Sequence, residues 1–188
     1  MNGEPLAYQL GTTAHLSPLL QKARRLGLHG AESLERLAVQ RGCRYYDLRG
    51  DSAHASSTGQ TTSPPLPAQF SNEELAISLL SICLPSSQHR LRVGAAMLGA
   101  VGNSVARIIR LSRLERCEVI VRHIATCGHR VEPENFFWND LLRHLPELPQ
   151  PGPDVLPHIT RFVAMTGITR RGRETLMQWV RPTHADAA

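Results

Sequence analysis

The chain has 188 residues, which is enough for one ordinary domain or for a small domain with an appendage. Apolar residues make up 41% of the sequence and aromatic residues only 5%. This composition favours helices over a β-sandwich. The net charge of +5 is too small to indicate nucleic-acid binding by itself. Residues 1–5 lack the basic and apolar regions of a secretory signal, and the longest apolar stretch, 75–84, is too short to cross a bilayer. We therefore expect neither a secretory signal nor a membrane partner.

Four cysteines are spread along the chain without CxxC spacing: Cys43, Cys83, Cys117 and Cys127. The last three stand among apolar residues at helical positions, where a free cysteine behaves as a small apolar residue. This pattern favours a reduced, cytoplasmic protein, with disulfide formation as the alternative.

Residues 1–50 are predicted to contain a helical hairpin. Ser17 followed by Pro18 is a helix-start signal, because a serine hydroxyl caps the first turn and proline suits the first helical position. Apolar residues then recur at helical spacing as far as Gly27. A second short helix is expected over residues 32–40. A hairpin of this size is too small to bury a core alone.

The composition changes between residues 51 and 69, where Ser, Thr, Gly and Pro dominate and Leu66 is the only large apolar residue. An irregular stretch of this length is unusual inside a compact domain. We predict a flexible linker that separates the hairpin from the segment after it.

Residues 70–145 are predicted to form a short stack of antiparallel helices. Ser71 and Glu74 have the spacing of a capping box, and Phe70 and Leu75 occupy the two positions of a hydrophobic staple. Four further apolar stripes of helical period follow. Counted from the helix that starts at Ser71, the third and fourth helices meet at residues 111–116. They are either two helices or one bent helix, because these residues include neither Gly nor Pro. The predicted fold class is therefore mainly α.

One of these helices resembles a known repeat. An Arg-Val start, paired alanines, a Leu-Gly pair and a final Gly-Asn are typical of the second helix of a HEAT-like repeat. They occur in this order: Leu91-Arg92-Val93-Gly94-Ala95-Ala96-Met97-Leu98-Gly99-Ala100-Val101-Gly102-Asn103. A related pattern returns 26 positions later and ends at Gly128. The resemblance extends from Asn72 to Gly128 and implies paired helices that stack on their neighbours as an interaction scaffold. A generic helical bundle is the alternative fold.

Residues 146–188 are predicted to form a proline-rich crossing and then a hairpin. The prolines between 146 and 157 exclude a helix and favour a polyproline-like path. The tail is expected to form two strands, 159–166 and 174–181, around a polar turn at 167–172. A helical conformation is the alternative for both strands.

Arginines of the middle segment are the candidate nucleic-acid-binding residues. Residues 71–130 carry 8 basic and 4 acidic side chains, against 7 and 5 before this segment and 6 and 7 after it. Basic helical faces can hold nucleic-acid phosphates, and the arginines best placed to do so lie within residues 90–116: Arg90, Arg92, Arg107 and Arg110. The alternative is a solvated face in which arginine stems cover apolar surface.

The densest aromatic cluster is the candidate protein-binding site. Phe136, Phe137 and Trp138 are adjacent on one predicted helix, so they cannot all face the core. At least one of them is expected to contact a partner or the C-terminal tail.

The sequence contains no nucleotide-binding loop, no nucleophile elbow and no zinc-ligand spacing. Cys127 stands near His123 and His129, but it is better explained as the last core residue before a glycine cap. We therefore assign no catalytic residue, no cofactor and no metal site. The sequence predicts a non-enzymatic, protein-binding scaffold, with nucleic-acid binding as the alternative and an enzyme as a third hypothesis.

Overall fold

The computed structural model describes residues 4–43, 69–152, 154–159, 162, 168–171, 174–177, 179 and 181–182. Within these residues the protein is mainly helical. Its elements follow in this order: α1 (Leu6–Gln9), α2 (Pro18–Arg25), α3 (Gly30–Gln40), α4 (Asn72–Leu79), α5 (Gln88–Leu98), α6 (Val105–Leu114), α7 (Glu118–Val131), α8 (Phe136–His144), β1 (Ile168–Arg171) and β2 (Glu174–Met177). The flexible linker predicted over 51–69 lies outside the described residues, except for Gln69.

The N-terminal segment contains the two expected helices, α2 and α3. The Ser17 hydroxyl accepts a hydrogen bond from the Leu20 backbone N–H at 3.0 Å and so caps α2. The second helix begins at Gly30, two residues before the predicted start. Sequence reasoning missed α1, where the backbone N–H groups of Leu6 and Ala7 donate to carbonyls of the α4–α5 loop at 3.0 and 2.9 Å.

These N-terminal helices share one core with the rest of the chain. Helices α2 and α3 pack against α4, and α3 also packs against α5. Their buried apolar side chains belong to the same cluster as those of the stack. Just after α3, the buried side chain of Arg41 donates to Asn72 Oδ1 at 2.9 Å and to the Phe70 carbonyl. The hairpin is therefore a layer of the same folded unit.

Helix α4 lies at the centre, and every one of its residues is buried. Its start is the predicted capping box: the Ser71 hydroxyl accepts from the Glu74 N–H at 3.3 Å, and the Glu74 carboxylate accepts from the Ser71 N–H at 3.0 Å. Helices α4 and α5 approach closely, since a Cβ at Gly94 would lie 2.7 Å from Leu80 Cδ2.

The third and fourth apolar stripes are two separate helices, α6 and α7. Arg116 between them has a left-handed backbone, with φ of 53°, which turns the chain without Gly or Pro. Helix α8 then packs against α7. At this contact a Cβ at Gly128 would lie 2.4 Å from Trp138 Cε2, so the ring requires glycine beneath it.

Beyond α8, residues 146–152 form neither helix nor strand, and β1 and β2 pair antiparallel. The register pairs are Ile168–Met177, Thr169–Leu176, Arg170–Thr175 and Arg171–Glu174. Ile159 and Phe162 have helical backbone, so the strand predicted over 159–166 is wrong at these two positions and the helical alternative fits them. The strand β1 lies instead within residues 167–172, where the sequence predicted a polar turn.

Candidate functional site

Arg90 lies in the interior of the protein rather than on a basic surface. Its fully buried guanidinium donates hydrogen bonds to three backbone carbonyls, those of Leu79, of Ser81 at 3.4 Å and of Pro85 at 3.0 Å. Leu79 is the last residue of α4, and its carbonyl has no partner within the helix. Burial lowers the pKa of Arg90 to about 10, against the opposing attraction of Glu35. The prediction that Arg90 contacts nucleic acid is corrected, since its side chain closes the end of α4.

Arg107 is paired with carboxylates of α4. Its guanidinium lies 3.9 Å from Glu73 and 3.5 Å from Glu74, and the Lys22 ammonium lies 2.8 Å from Glu74. Burial alone would raise the pKa of Glu73, but the Ser104 N–H that donates to its carboxylate, together with Arg107, holds it below its ordinary value. Two cations therefore face two carboxylates, and Arg107 is not a spare charge for a phosphate.

Arg92 and Arg110 are accessible but lie on different helices. Arg92 is half-buried on α5, where its Nε donates to the Gln88 carbonyl at 3.1 Å. Arg110 is exposed on α6, and Arg113 one turn later donates to the His144 carbonyl at 3.4 Å. The four predicted arginines therefore do not form one basic face.

Phe136, Phe137 and Trp138, which we call the aromatic corner, have three different environments. Phe136 is 80% exposed, Phe137 is half-buried and Trp138 is fully buried. The rings of Phe137 and Trp138 meet edge to face, with centroids 4.9 Å apart. Trp138 is therefore a core residue, and Phe136 is the member that a partner can reach.

The base of the aromatic corner is held by hydrogen bonds to one carboxylate oxygen. Glu132 Oε2 accepts from Trp138 Nε1 at 2.9 Å, from Asn135 Nδ2 at 2.7 Å and from Arg181 Nη2 at 2.6 Å. The Trp138 ring also packs against Trp179, with centroids 5.0 Å apart. The C-terminal segment therefore reaches the aromatic corner and fixes its buried ring.

A second cluster joins three residues from separate parts of the chain: Cys83 in the α4–α5 loop, His15 before α2 and Glu115 at the end of α6. Cys83 Sγ lies 3.5 Å from His15 Nδ1, and His15 Nε2 lies 3.8 Å from Glu115 Oε2. Glu115 is fully buried, and its Oε1 accepts a hydrogen bond at 2.9 Å from the Leu19 N–H in the first turn of α2. We call this row of thiol, imidazole and carboxylate the thiol cluster.

Sequence reasoning missed the thiol cluster. His15 and Cys83 are 68 residues apart, and Glu115 follows Cys83 by a further 32. The sequence pattern indicates a small apolar residue at Cys83 and contains no signal at His15 or Glu115. A cysteine, a histidine and an acid that meet only in the folded state have no fixed sequence spacing, so no local pattern could have identified them.

A groove of about 390 Å³ lies next to the start of α7. Residues 9, 10 and 12, the start of α7, and residues 149–152 and 155 line it, and most of this lining is apolar. Cys117, two residues after Glu115 in the chain, is part of the lining, whereas none of the three residues of the thiol cluster is.

Comparison of the chain with protein-family models, with curated proteins and with solved structures found no match in any of the three. Among the described residues, no group of three or more His, Cys, Asp or Glu side chains is placed to hold a metal ion. No helix in the described part of the chain is both long enough and apolar enough to cross a membrane. The candidate sites, the aromatic corner and the thiol cluster, are therefore defined by geometry alone.

Proposed function

We propose that the protein is a helical scaffold that binds another protein through the aromatic corner. The observation that carries this proposal is the side chain of Phe136, which is 80% exposed in the first turn of α8. Large aromatic side chains are frequent energetic anchors of protein interfaces, because they bury much apolar area at a small entropic cost.

The surroundings of Phe136 fit an interface with an apolar centre and a polar rim. A shallow depression beside the corner is lined by Glu132, Glu134, Asn135 and Arg181, together with one proline. A polar rim of this kind excludes water from a central aromatic anchor when a partner covers it. Trp138, two residues after Phe136 on α8, is fully buried and so attaches this part of the helix to the core.

The architecture that we propose is HEAT-like, with α4–α5 and α6–α7 as two helix pairs, and with α8 and a C-terminal hairpin as the cap. The packing of α4 against α6 supports this, because first helices of successive repeats lie side by side. The hydrogen bond from the Val101 N–H to the Pro182 carbonyl, at 3.2 Å, supports a C-terminal cap. Four free cysteines support a reduced, cytoplasmic location.

The proposal is tested by affinity capture with the immobilised full chain and a Phe136→Ala variant. The matched control is Tyr8→Ala, which removes another exposed aromatic ring, 57% accessible, from a different surface. We expect a partner that the wild type and the control retain to bind the Phe136 variant at least about tenfold more weakly, as for an interface hot spot. Equal binding to all three proteins would exclude the aromatic corner as the contact.

Nucleic-acid binding through Arg92 and Arg110 is the second candidate, supported by the exposure of Arg110 on α6. Phosphate contacts make affinity fall steeply with salt. We therefore expect the affinity for a short DNA duplex to fall as salt is added and to fall in an Arg110→Glu variant. If neither salt nor this substitution changes the affinity, Arg110 does not bind a phosphate.

A further inference from the structure

We propose that Cys83, His15 and Glu115 form a nucleophilic thiol site that takes an acyl group from an activated ester or a thioester. This activity goes beyond the scaffold function and depends on different residues. In known nucleophile sites a base removes the proton of the nucleophile, and a third group orients the base. The distances of 3.5 Å and 3.8 Å fit such a row in a resting site, where catalytic hydrogen bonds are often long.

The carboxylate of Glu115 is the positioning group. Burying a carboxylate is unfavourable unless partners compensate for the lost water. One oxygen has a partner, the Leu19 N–H at the positive N-terminal end of α2. The other oxygen faces His15 Nε2, and neither of these two atoms has a hydrogen-bond partner among the described residues. A proton on His15 Nε2 supplies that partner and leaves Nδ1 as the acceptor that faces Cys83.

The thiol of Cys83 has two acceptors on the same histidine. In the resting state Sγ donates to the His15 backbone carbonyl at 2.9 Å. Rotation about the Cβ–Sγ bond turns the proton towards His15 Nδ1, 3.5 Å away. Transfer to Nδ1 produces a thiolate beside an imidazolium, which is the reactive pair of cysteine nucleophiles.

The reaction is an acyl transfer without a change of oxidation state. The Cys83 thiolate attacks the carbonyl carbon of the acyl donor, the bond to the leaving group breaks, and the imidazolium of His15 gives its proton to that group. Water, deprotonated by His15, then attacks the new thioester and releases a carboxylic acid and the free thiol. The sum of both steps is hydrolysis of the acyl donor.

Access and surroundings favour Cys83 over the other thiols. Cys83 is half-buried, whereas burial raises the pKa of Cys43 to about 12 and that of Cys127 to about 11. Arg116, which is exposed, and Cys117, which is buried, follow Glu115 directly in the chain. Burial, helped by Glu115 and Glu118, raises the pKa of Cys117 well above its ordinary value, so its thiol stays neutral.

An apolar acyl group suits this surface. Leu16, directly after His15, is 79% exposed. An exposed leucine at this position can cover a short alkyl chain of an acyl donor whose carbonyl carbon is attacked by Cys83. The acyl donor is therefore expected to carry an uncharged aliphatic chain.

The first test is alkylation of the full chain by iodoacetamide, with each cysteine followed by peptide mass spectrometry. An ordinary thiol with a pKa of about 8.5 is only about 0.3% thiolate near pH 6. We expect wild-type Cys83 to react at least about tenfold faster than Cys83 of a His15→Gln variant near pH 6, and within about twofold of it near pH 9.5. Glu115→Gln, which keeps the shape and the acceptor for Leu19, should lie between the two.

A wild-type profile that rises as a single ordinary thiol overturns the proposal, and this measurement needs no variant to fold. Profiles of wild type and His15→Gln that coincide also overturn it and make the cluster a structural contact. Circular dichroism of each variant confirms that the helices are intact.

The second test uses p-nitrophenyl butyrate as the acyl donor. We expect a burst of one p-nitrophenolate per chain and one butyryl group on Cys83, both lost in Cys83→Ala and both kept in Cys43→Ala. Butyryl groups that appear only on Lys22 or at the N-terminus overturn the proposal. Because Phe136 takes no part in this reaction, its failure would leave the scaffold function untouched.

Discussion

Replacing Arg90 with methionine removes the cation that closes the end of α4. Methionine keeps the length and the apolar stem, but three carbonyls, those of Leu79, Ser81 and Pro85, lose their common donor. A buried hydrogen bond to a charged group contributes about 1.5–3 kcal/mol, and the long contact to Ser81, at 3.4 Å, counts for less than the other two.

The expected loss of stability for Arg90→Met is about 3–4 kcal/mol. Losing two well-formed charge-assisted hydrogen bonds costs about 3–6 kcal/mol of stability. Part of this loss is offset, because the variant no longer buries a charged group. That desolvation is also the cause of the lowered pKa of Arg90. For a domain whose whole stability is about 5–15 kcal/mol, this is a large fraction.

Urea unfolding, followed by the fluorescence of Trp138 and Trp179, measures this loss. The matched control is Arg110→Met, which makes the same substitution at an exposed helical position and should stay within about 0.5 kcal/mol of the wild type. The midpoint should fall while the slope with urea is unchanged. If the Arg90 variant lies within about 1 kcal/mol of the Arg110 variant, the guanidinium does not hold the end of α4 and our account of its burial is wrong.

Three further substitutions test the packing and the charges. Gly128→Ala places a Cβ within 2.4 Å of the buried Trp138 ring and should lower the melting temperature by an amount equivalent to about 2–4 kcal/mol. The control Gly152→Ala has open space around the added Cβ and should change the melting temperature little. Equal effects of the two substitutions would refute the close contact. Stability should fall as pH rises from about 9 towards 12, because the Cys43 thiol loses its proton near its ordinary pKa only when unfolded and holds it to a pKa of about 12 when folded. Cys43→Ala should flatten this slope by about 1.4 kcal/mol per pH unit, and an unchanged slope between pH 9 and 11 contradicts the assignment. Arg107→Glu adds a third carboxylate beside Glu73 and Glu74 and should lower the free energy of unfolding in urea by about 2–3 kcal/mol. The control Arg113→Glu, at an exposed position, should lower it by less than about 1 kcal/mol. Equal losses of stability would show that Arg107 is not paired.

The starts of the helices could be predicted because their signals are local. The hydroxyl of Ser17 and the Ser71–Glu74 pair act within one turn of chain, and the structure contains both caps. The break between α6 and α7 could not be predicted, since it rests on Arg116 in a left-handed conformation that glycine would ordinarily adopt. Local signals therefore located the starts of α2 and α4, whereas Arg116 hid one boundary and α7 continues to Val131, past the glycine cap expected at Gly128.

The environment of charged residues could not be predicted, because it depends on what packs against each helix. Arg90 and Arg92 are two positions apart on α5, yet one is fully buried and the other half-exposed. Sequence period gives the angle between two side chains on a helix, but it does not reveal that the α4–α5 loop covers one of them. For the same reason Trp138 is core while Phe136 is exposed, although both were candidates for a partner contact.

The α4–α5 loop connects the two unexpected features of the fold. The carbonyls that Arg90 holds lie on both sides of Cys83, and the pairing of Leu6 with Leu84 through a backbone hydrogen bond of 3.0 Å fixes the same loop from outside. A thiol on a free loop would sample many positions relative to His15, and a 3.5 Å approach would be rare. Arg90 holds the loop on both sides of Cys83 and so keeps the thiol close to His15, which makes it a positioning residue for the proposed thiol site.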